Sequence, residues 1–142
     1  MSPSPRVRSS LFALLLTAAS CAPARFISQY DEATDRGVTA LHGKTAALLD
    51  HIQASQSPVS YASVSARYDE VRRDLHALAL RNTARDKNDL TNQQLEQLRQ
   101  ALDEFEQLHR ERGAMSREAV GPARDAIDTI ARAILKVELA KR

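Results

Sequence analysis

Six residues in the middle of the chain, Tyr61, Val64, Tyr68, Val71, Leu75 and Leu78, follow one another at intervals of 3, 4, 3, 4 and 3. A helix of 3.6 residues per turn brings such a series onto one face; a strand would scatter it over both. The same period appears in three further stretches. Tyr30, Thr34, Val38, Leu41, Thr45, Leu48 and Ile52 predict a first helix from about Phe26 to Ala54. Leu95, Leu98, Leu102, Phe105 and Leu108 predict a third. Ala123, Ile127, Ile130, Ile134 and Val137 predict a fourth, broadened by Ala131, Leu135 and Leu139.

Local signals divide these stretches. Asp31, Glu32 and Asp35 lie in the early turns of helix one, where the helix dipole favours negative charge. Gly37 and Gly43 weaken that helix by about 1 kcal/mol each relative to alanine, and either permit a close helix contact or mark a bend. Ser57 is placed to cap helix two, with Pro58 at the first helical position. Asp86-Lys87-Asn88-Asp89 reads as a loop, and Thr91 with Gln94 as a capping box for helix three. Gly113 is a helix stop. Ser116 is the next cap, with Glu118 in the first turn; beyond it the last helix either starts at Pro122 or bends there.

Four amphipathic helices on short polar connections predict an all-α fold, an antiparallel up-down-up-down four-helix bundle over residues 26–142. The alternative has the first two helices, about 43 Å long at 1.5 Å per residue, projecting as a hairpin beyond a smaller bundle. No strand-period alternation or internal repeat is present. With no tryptophan, four glycines and 4% aromatic residues, the composition argues against a sandwich or barrel, and abundant Ala, Leu, Arg, Gln and Glu favour helix.

The N-terminus is of a different kind. Arg6 and Arg8 precede ten apolar or small residues, Leu11 to Ser20. A membrane span needs roughly 20 residues for a hydrocarbon core about 30 Å thick, so this run fits the apolar region of an export signal. It ends at Cys21, the sole cysteine, which therefore has no disulfide partner in the chain. Ala18-Ala19-Ser20-Cys21 resembles the lipobox of bacterial lipoproteins. Ala19 and Ser20 supply the small residues of that motif; Ala18 stands where leucine is commonest. The resemblance implies a diacylglyceryl group on the Cys21 thiol, cleavage just before Cys21 and acylation of the new amine. The rival reading is ordinary secretion, with Ala22-Pro23-Ala24 as the cleavage site and Cys21 discarded. Each buried methylene contributes about 0.8 kcal/mol, so several acyl chains hold firmly where one is marginal. In the sorting of lipoproteins by two-membrane bacteria, alanine rather than aspartate after the cysteine implies the outer membrane. The expected organisation is a leader over 1–20, a lipidated Cys21 and tether over 21–25, and a bundle from 26. Ala22 to Arg25 reach at most about 14 Å, which holds the domain against the membrane.

Charge restricts the partners. Arg6 and Arg8 leave with the leader, so 18 basic residues face 18 acidic ones. A near-neutral chain argues against a broad nucleic-acid surface. The expected partners are membrane lipid, through acylated Cys21, and an envelope protein.

Few residues suggest chemistry. Glu106 and His109 form one Glu-x-x-His, whereas di-iron bundles use two such pairs and two further glutamates. The pair lies beside the apolar stripe and reads as a solvated flank. Asp50-His51 and Asp74-Leu75-His76 set carboxylates near imidazoles, but no nucleophile elbow or glycine-rich phosphate loop accompanies them. Arg67, Arg72, Arg73, Arg81 and Arg85 make helix two basic on its polar side, either paired in solvent with Asp69, Glu70 and Asp74 or meeting anionic headgroups or an acidic partner. Tyr61 and Tyr68 share one stripe and read as core rather than a ligand cage. Glu138 to Arg142 resemble the end of the major outer-membrane lipoprotein, whose terminal lysine is joined to peptidoglycan, but here Arg142 follows Lys141 and no crosslink is expected. Cys21 is thus the one expected site; no enzymatic activity, catalytic residue, metal or cofactor is expected.

Phe26-Ile27-Ser28-Gln29-Tyr30-Asp31-Glu32-Ala33-Thr34-Asp35-Arg36-Gly37-Val38-Thr39-Ala40-Leu41 directly after the lipobox, with Leu135-Lys136-Val137-Glu138-Leu139-Ala140-Lys141 near the end, resembles small uncharacterised lipoproteins of Gram-negative bacteria. The resemblance spans nearly the whole mature chain. It implies export, lipidation and helices, and transfers no activity. The expectation is a non-enzymatic scaffold or protein-interaction module anchored to the outer membrane and facing the periplasm. The alternative is a periplasmic ligand- or metal-binding bundle.

Overall fold

The computed structural model describes residues 28–142. The leader, Cys21, the tether and Phe26 lie outside the described residues. Four helices account for most of the rest: α1 (Glu32–Ala54), α2 (Tyr61–Thr83), α3 (Asp89–Arg112) and α4 (Val120–Leu139). Each packs along two neighbours, α1 on α2 and α4, and α3 on α2 and α4. Chain order around the ring is therefore that of an up-down-up-down bundle. With 20 to 24 residues each, the helices are about 30–36 Å long. The first two do not project; they are sides of the bundle.

The apolar stripes meet on the bundle axis. Val38, Leu41, Leu48 and Ile52 of α1, Val64, Tyr68, Val71 and Leu75 of α2, Leu95, Leu98 and Phe105 of α3, and Ile127, Ala131 and Ile134 of α4 form one buried cluster. Gly37 sits where α1 presses on α2: a Cβ there would stand 2.8 Å from a Leu78 methyl. Gly43 faces open space and makes no such contact.

The helix boundaries depart from the sequence expectations in four places. Helix α1 begins at Glu32 rather than near Phe26, because the Asp31 carboxylate accepts the Thr34 amide at 3.2 Å and caps it; Tyr30 precedes the helix. Ser60, not Ser57, caps α2, accepting from the Ser63 amide at 3.3 Å. The residues ahead of it pair with another connection: β1 (Val59–Ser60) runs antiparallel to β2 (Ala114–Met115), which buries Val59 and Met115. Two residues are too short for an alternating pattern to register. At α3 the cap position is Asn88, and Thr91 is carried one turn inside the helix and buried. Gly113 ends α3 with φ +71°, as expected of a left-handed stop. A 3₁₀ turn over Arg117–Ala119 then leads into α4 at Val120, two residues before Pro122. The proline lies in the first turn, where a backbone N–H has no intrahelical partner to lose.

The start of α1, the end of α2, the start of α3 and the end of α4 come together at one end, called proximal here because Ser28 joins it. The connections containing β1 and β2 form the distal end. Among the described residues no helix is long and apolar enough to cross a membrane.

Candidate functional site

Both ends of the bundle bury polar side chains. At the distal end α2 and α3 enclose Glu106, whose side chain is 8% exposed. Arg72 donates to both of its oxygens at 2.7 and 2.9 Å, Arg110 donates at 2.8 Å, and the Tyr61 hydroxyl donates at 2.8 Å. The Arg110 guanidinium also lies over the Tyr61 ring, 5.2 Å from its centroid. One turn on, His109 is fully buried; its Nε2 donates to the Val59 carbonyl at 2.8 Å, which leaves Nδ1 facing the Tyr68 hydroxyl at 2.9 Å. Burial raises the Tyr68 phenol well above its ordinary pKa, and the Glu106 charge adds to the shift, so the hydroxyl keeps its proton and can donate to Nδ1. His109 thereby ties α2 and α3 to the β1 connection.

Glu106 and His109 are therefore not the solvated flank their place beside the stripe predicted. In a closed four-helix ring each helix buries an arc wider than the a and d positions alone. The position next to Phe105 falls inside that arc.

At the proximal end the buried polar groups form a chain. Thr34 donates to Asn82 at 3.0 Å, Asn88 donates to Asn82 at 2.8 Å, Lys141 donates to Asn88 and Thr91 at 2.9 Å each, and Thr91 donates to Glu138 at 2.8 Å. Lys141 also pairs directly with Glu138, and the two side chains are 2% and 1% exposed. The segment ahead of α1 closes over this network: the Ser28 amide donates to the Lys87 carbonyl at 3.0 Å and its hydroxyl to Asn88 at 2.8 Å. Asp31 receives Arg81 at 3.1 Å and Arg85 at 3.5 Å. Burial opposes ionisation of Asp31, but the Arg81 and Thr34 hydrogen bonds and the charges of Arg85 and Arg81 outweigh it, and its pKa falls to about 2.

A groove of about 760 Å³ lies between α2 and α3. Leu75, Ala79 and Leu95 line it together with Arg72, Arg99 and Glu96. Arg99 and then Gln100 hydrogen-bond the Glu96 carboxylate and hold its pKa at about 2.

The remaining sequence candidates are dispersed. Asp50 meets Arg124 at 2.5 Å, and Asp74 meets Lys44 at 2.6 Å, so neither carboxylate is committed to its neighbouring histidine. His42 instead faces Asp128 of α4 at 2.7 Å. The basic residues of α2 pair only in part as expected. Arg72 takes Asp69 and Glu106, Arg81 takes Asp31, and Glu70 joins Lys44. Arg67 is exposed, and Arg73 lines the groove. Tyr68 packs in the core as expected, whereas Tyr61 is half-buried and bonded to Glu106. Among the described residues no three His, Cys, Asp or Glu side chains come close enough together to hold a metal ion. Comparison with protein-family models, curated proteins and solved structures gives no match to this chain.

Asn82, Asn88, Glu138 and Lys141 are the residues that sequence reasoning missed. For two of them a signal exists: Asn82 follows Leu78 by four and Glu138 follows Ile134 by four, so both extend an apolar stripe with a polar group.

Proposed function

We propose that this chain is a lipoprotein of the bacterial outer membrane, held by acylated Cys21, whose helical bundle faces the periplasm and acts as a non-enzymatic interaction module for an envelope protein. The observation that carries the reading is the use made of the buried ionisable groups. Glu106, His109, Glu138 and Lys141 are engaged in joining one helix to the next. Between α2 and α3 lies a groove with apolar side chains and charged edges. Such a groove offers a partner helix or extended segment both apolar contact and charge pairs. The lipobox-like Ala18–Cys21 supports the anchor.

Two measurements test the proposal. Cys21→Ser should abolish palmitate labelling and release the protein from the membrane fraction; a variant that fractionates with the parent refutes the anchor. A photo-crosslinking residue at Ala79, in the groove, should trap one envelope protein reproducibly, whereas the same residue at exposed Ala47 should not. Absence of a groove-specific adduct refutes the module.

A further inference from the structure

Three large apolar side chains stand in solvent among the described residues: Leu80 is 64% exposed, Leu90 48% and Leu139 47%. Single exposed leucines are ordinary. These three are not distributed over the molecule. Leu80 lies in the last turn of α2, Leu90 in the first turn of α3 and Leu139 at the end of α4. All belong to the proximal end. Tyr30 lies at the same end, half-buried, with the Arg142 guanidinium 4.4 Å from its ring centroid.

The proximal end is also where the chain enters. Ser28 is fastened there by its bonds to Lys87 and Asn88. Six residues, and so seven Cα-to-Cα steps, separate it from Cys21, a reach of at most about 25 Å. The bundle is about 35 Å long along its helices. A Cys21 fixed in a bilayer therefore keeps the end bearing the three leucines within about 25 Å of the lipid surface, while the tether sets no such limit on the distal end.

We propose that the proximal end of the bundle is itself a membrane-contacting surface, with Leu80, Leu90 and Leu139 entering the boundary between headgroups and acyl chains. The inference rests on the lipid-anchor reading and adds an orientation to it. Three side chains cover far less than the roughly 1,000 Å² that a specific protein interface needs. They suit a shallow insertion of about 5–10 Å at the interface, where an aromatic ring and an arginine at its rim are also favourably placed.

The chain contains no tryptophan, so one introduced indole reports a single position. Leu80→Trp, Leu90→Trp, Leu139→Trp and, at the distal end, Gln56→Trp are made in the full chain and purified from membranes. Mass spectrometry establishes the acyl groups. Each variant is placed in vesicles of phosphatidylethanolamine and phosphatidylglycerol with brominated acyl chains. The three proximal indoles should be quenched and shifted to the blue, and the indole at position 56 should be neither. Acylated protein with all four indoles equally unquenched overturns this inference and leaves the anchor standing. A chain without acyl groups overturns the anchor and the inference with it. Circular dichroism checks that each variant is folded, and three independent proximal reporters keep the result from hanging on one substitution.

Discussion

At the distal end the carboxylate of Glu106 is met by guanidiniums that reach in from solvent; at the proximal end the carboxylate of Glu138 is met by an ammonium as hidden as itself. Arg72 and Arg110 are 48% and 58% exposed, Lys141 is 2% exposed. The difference matters because the cost of taking charge out of water falls on both members of a sealed pair and on only one member of an open pair. An exposed arginine keeps much of its hydration and so avoids most of that cost. The distal cluster is therefore redundant, three donors on one carboxylate. The proximal network is a chain in which each group has few substitutes, and Glu138 Oε2 has no partner among the described residues.

That contrast orders the expected effects of substitution. Lys141→Ala leaves the Glu138 carboxylate buried without its ammonium and should cost about 3–5 kcal/mol of stability in urea unfolding. Combining Glu138→Leu with Lys141→Met should recover most of that loss, since a buried pair exchanged for apolar groups is often neutral. A double variant as unstable as the single one would break the comparison. Tyr68→Phe removes the hydroxyl that faces buried His109 and should cost about 1–3 kcal/mol, read from the same titration. Arg72→Ala and Arg110→Ala should each move the unfolding midpoint less than Tyr68→Phe. The pair together should cost more than the sum of the two, because either one covers for the other. If one arginine alone matches Lys141→Ala, the distal cluster is not redundant.

Asp31 contributes at neutral pH, and acid removes its contribution. Its pKa is depressed in the folded protein, to about 2 from an ordinary 3.8. The stability it contributes is thus present above the ordinary value and is lost as pH falls towards the depressed one. Asp31→Asn retains a capping side chain but has no charge to titrate. Urea midpoints measured down the pH scale should fall less steeply for the variant than for the parent between about pH 4 and pH 2. Parallel slopes would remove Asp31 from the account.

The apolar stripes make the bundle legible in the sequence. Every member of the Val64–Leu78 series is buried, and Gly113 closes α3 where expected. Periodicity gives the direction of a helix face but not the width of the arc its neighbours cover. Hence Glu106 and His109 read as flank and lie inside, while Leu139 read as part of the stripe and lies outside. The caps misread for a related reason. Ser57 and Thr91 are as suitable by type as Ser60 and Asn88. The choice among them was made by contacts distant in sequence: the pairing of Val59 with Met115, and the bond from Thr91 to Glu138. Lys141 has Glu138 three residues before it, but the groups that complete its surroundings, Asn88 and Thr91, lie in the loop before α3 and on α3, where no local pattern announces them.

The fastening of Ser28 and Asp31 has a mechanical consequence. Tension applied to the chain ahead of residue 28 does not reach α1 first. It passes through the Ser28 bonds to Lys87 and Asn88, and through the Arg85 bond to the Gln29 carbonyl, into the connection between α2 and α3. Several hydrogen bonds and the Asp31 ion pairs then share the load, and α1 is shielded from being peeled away turn by turn.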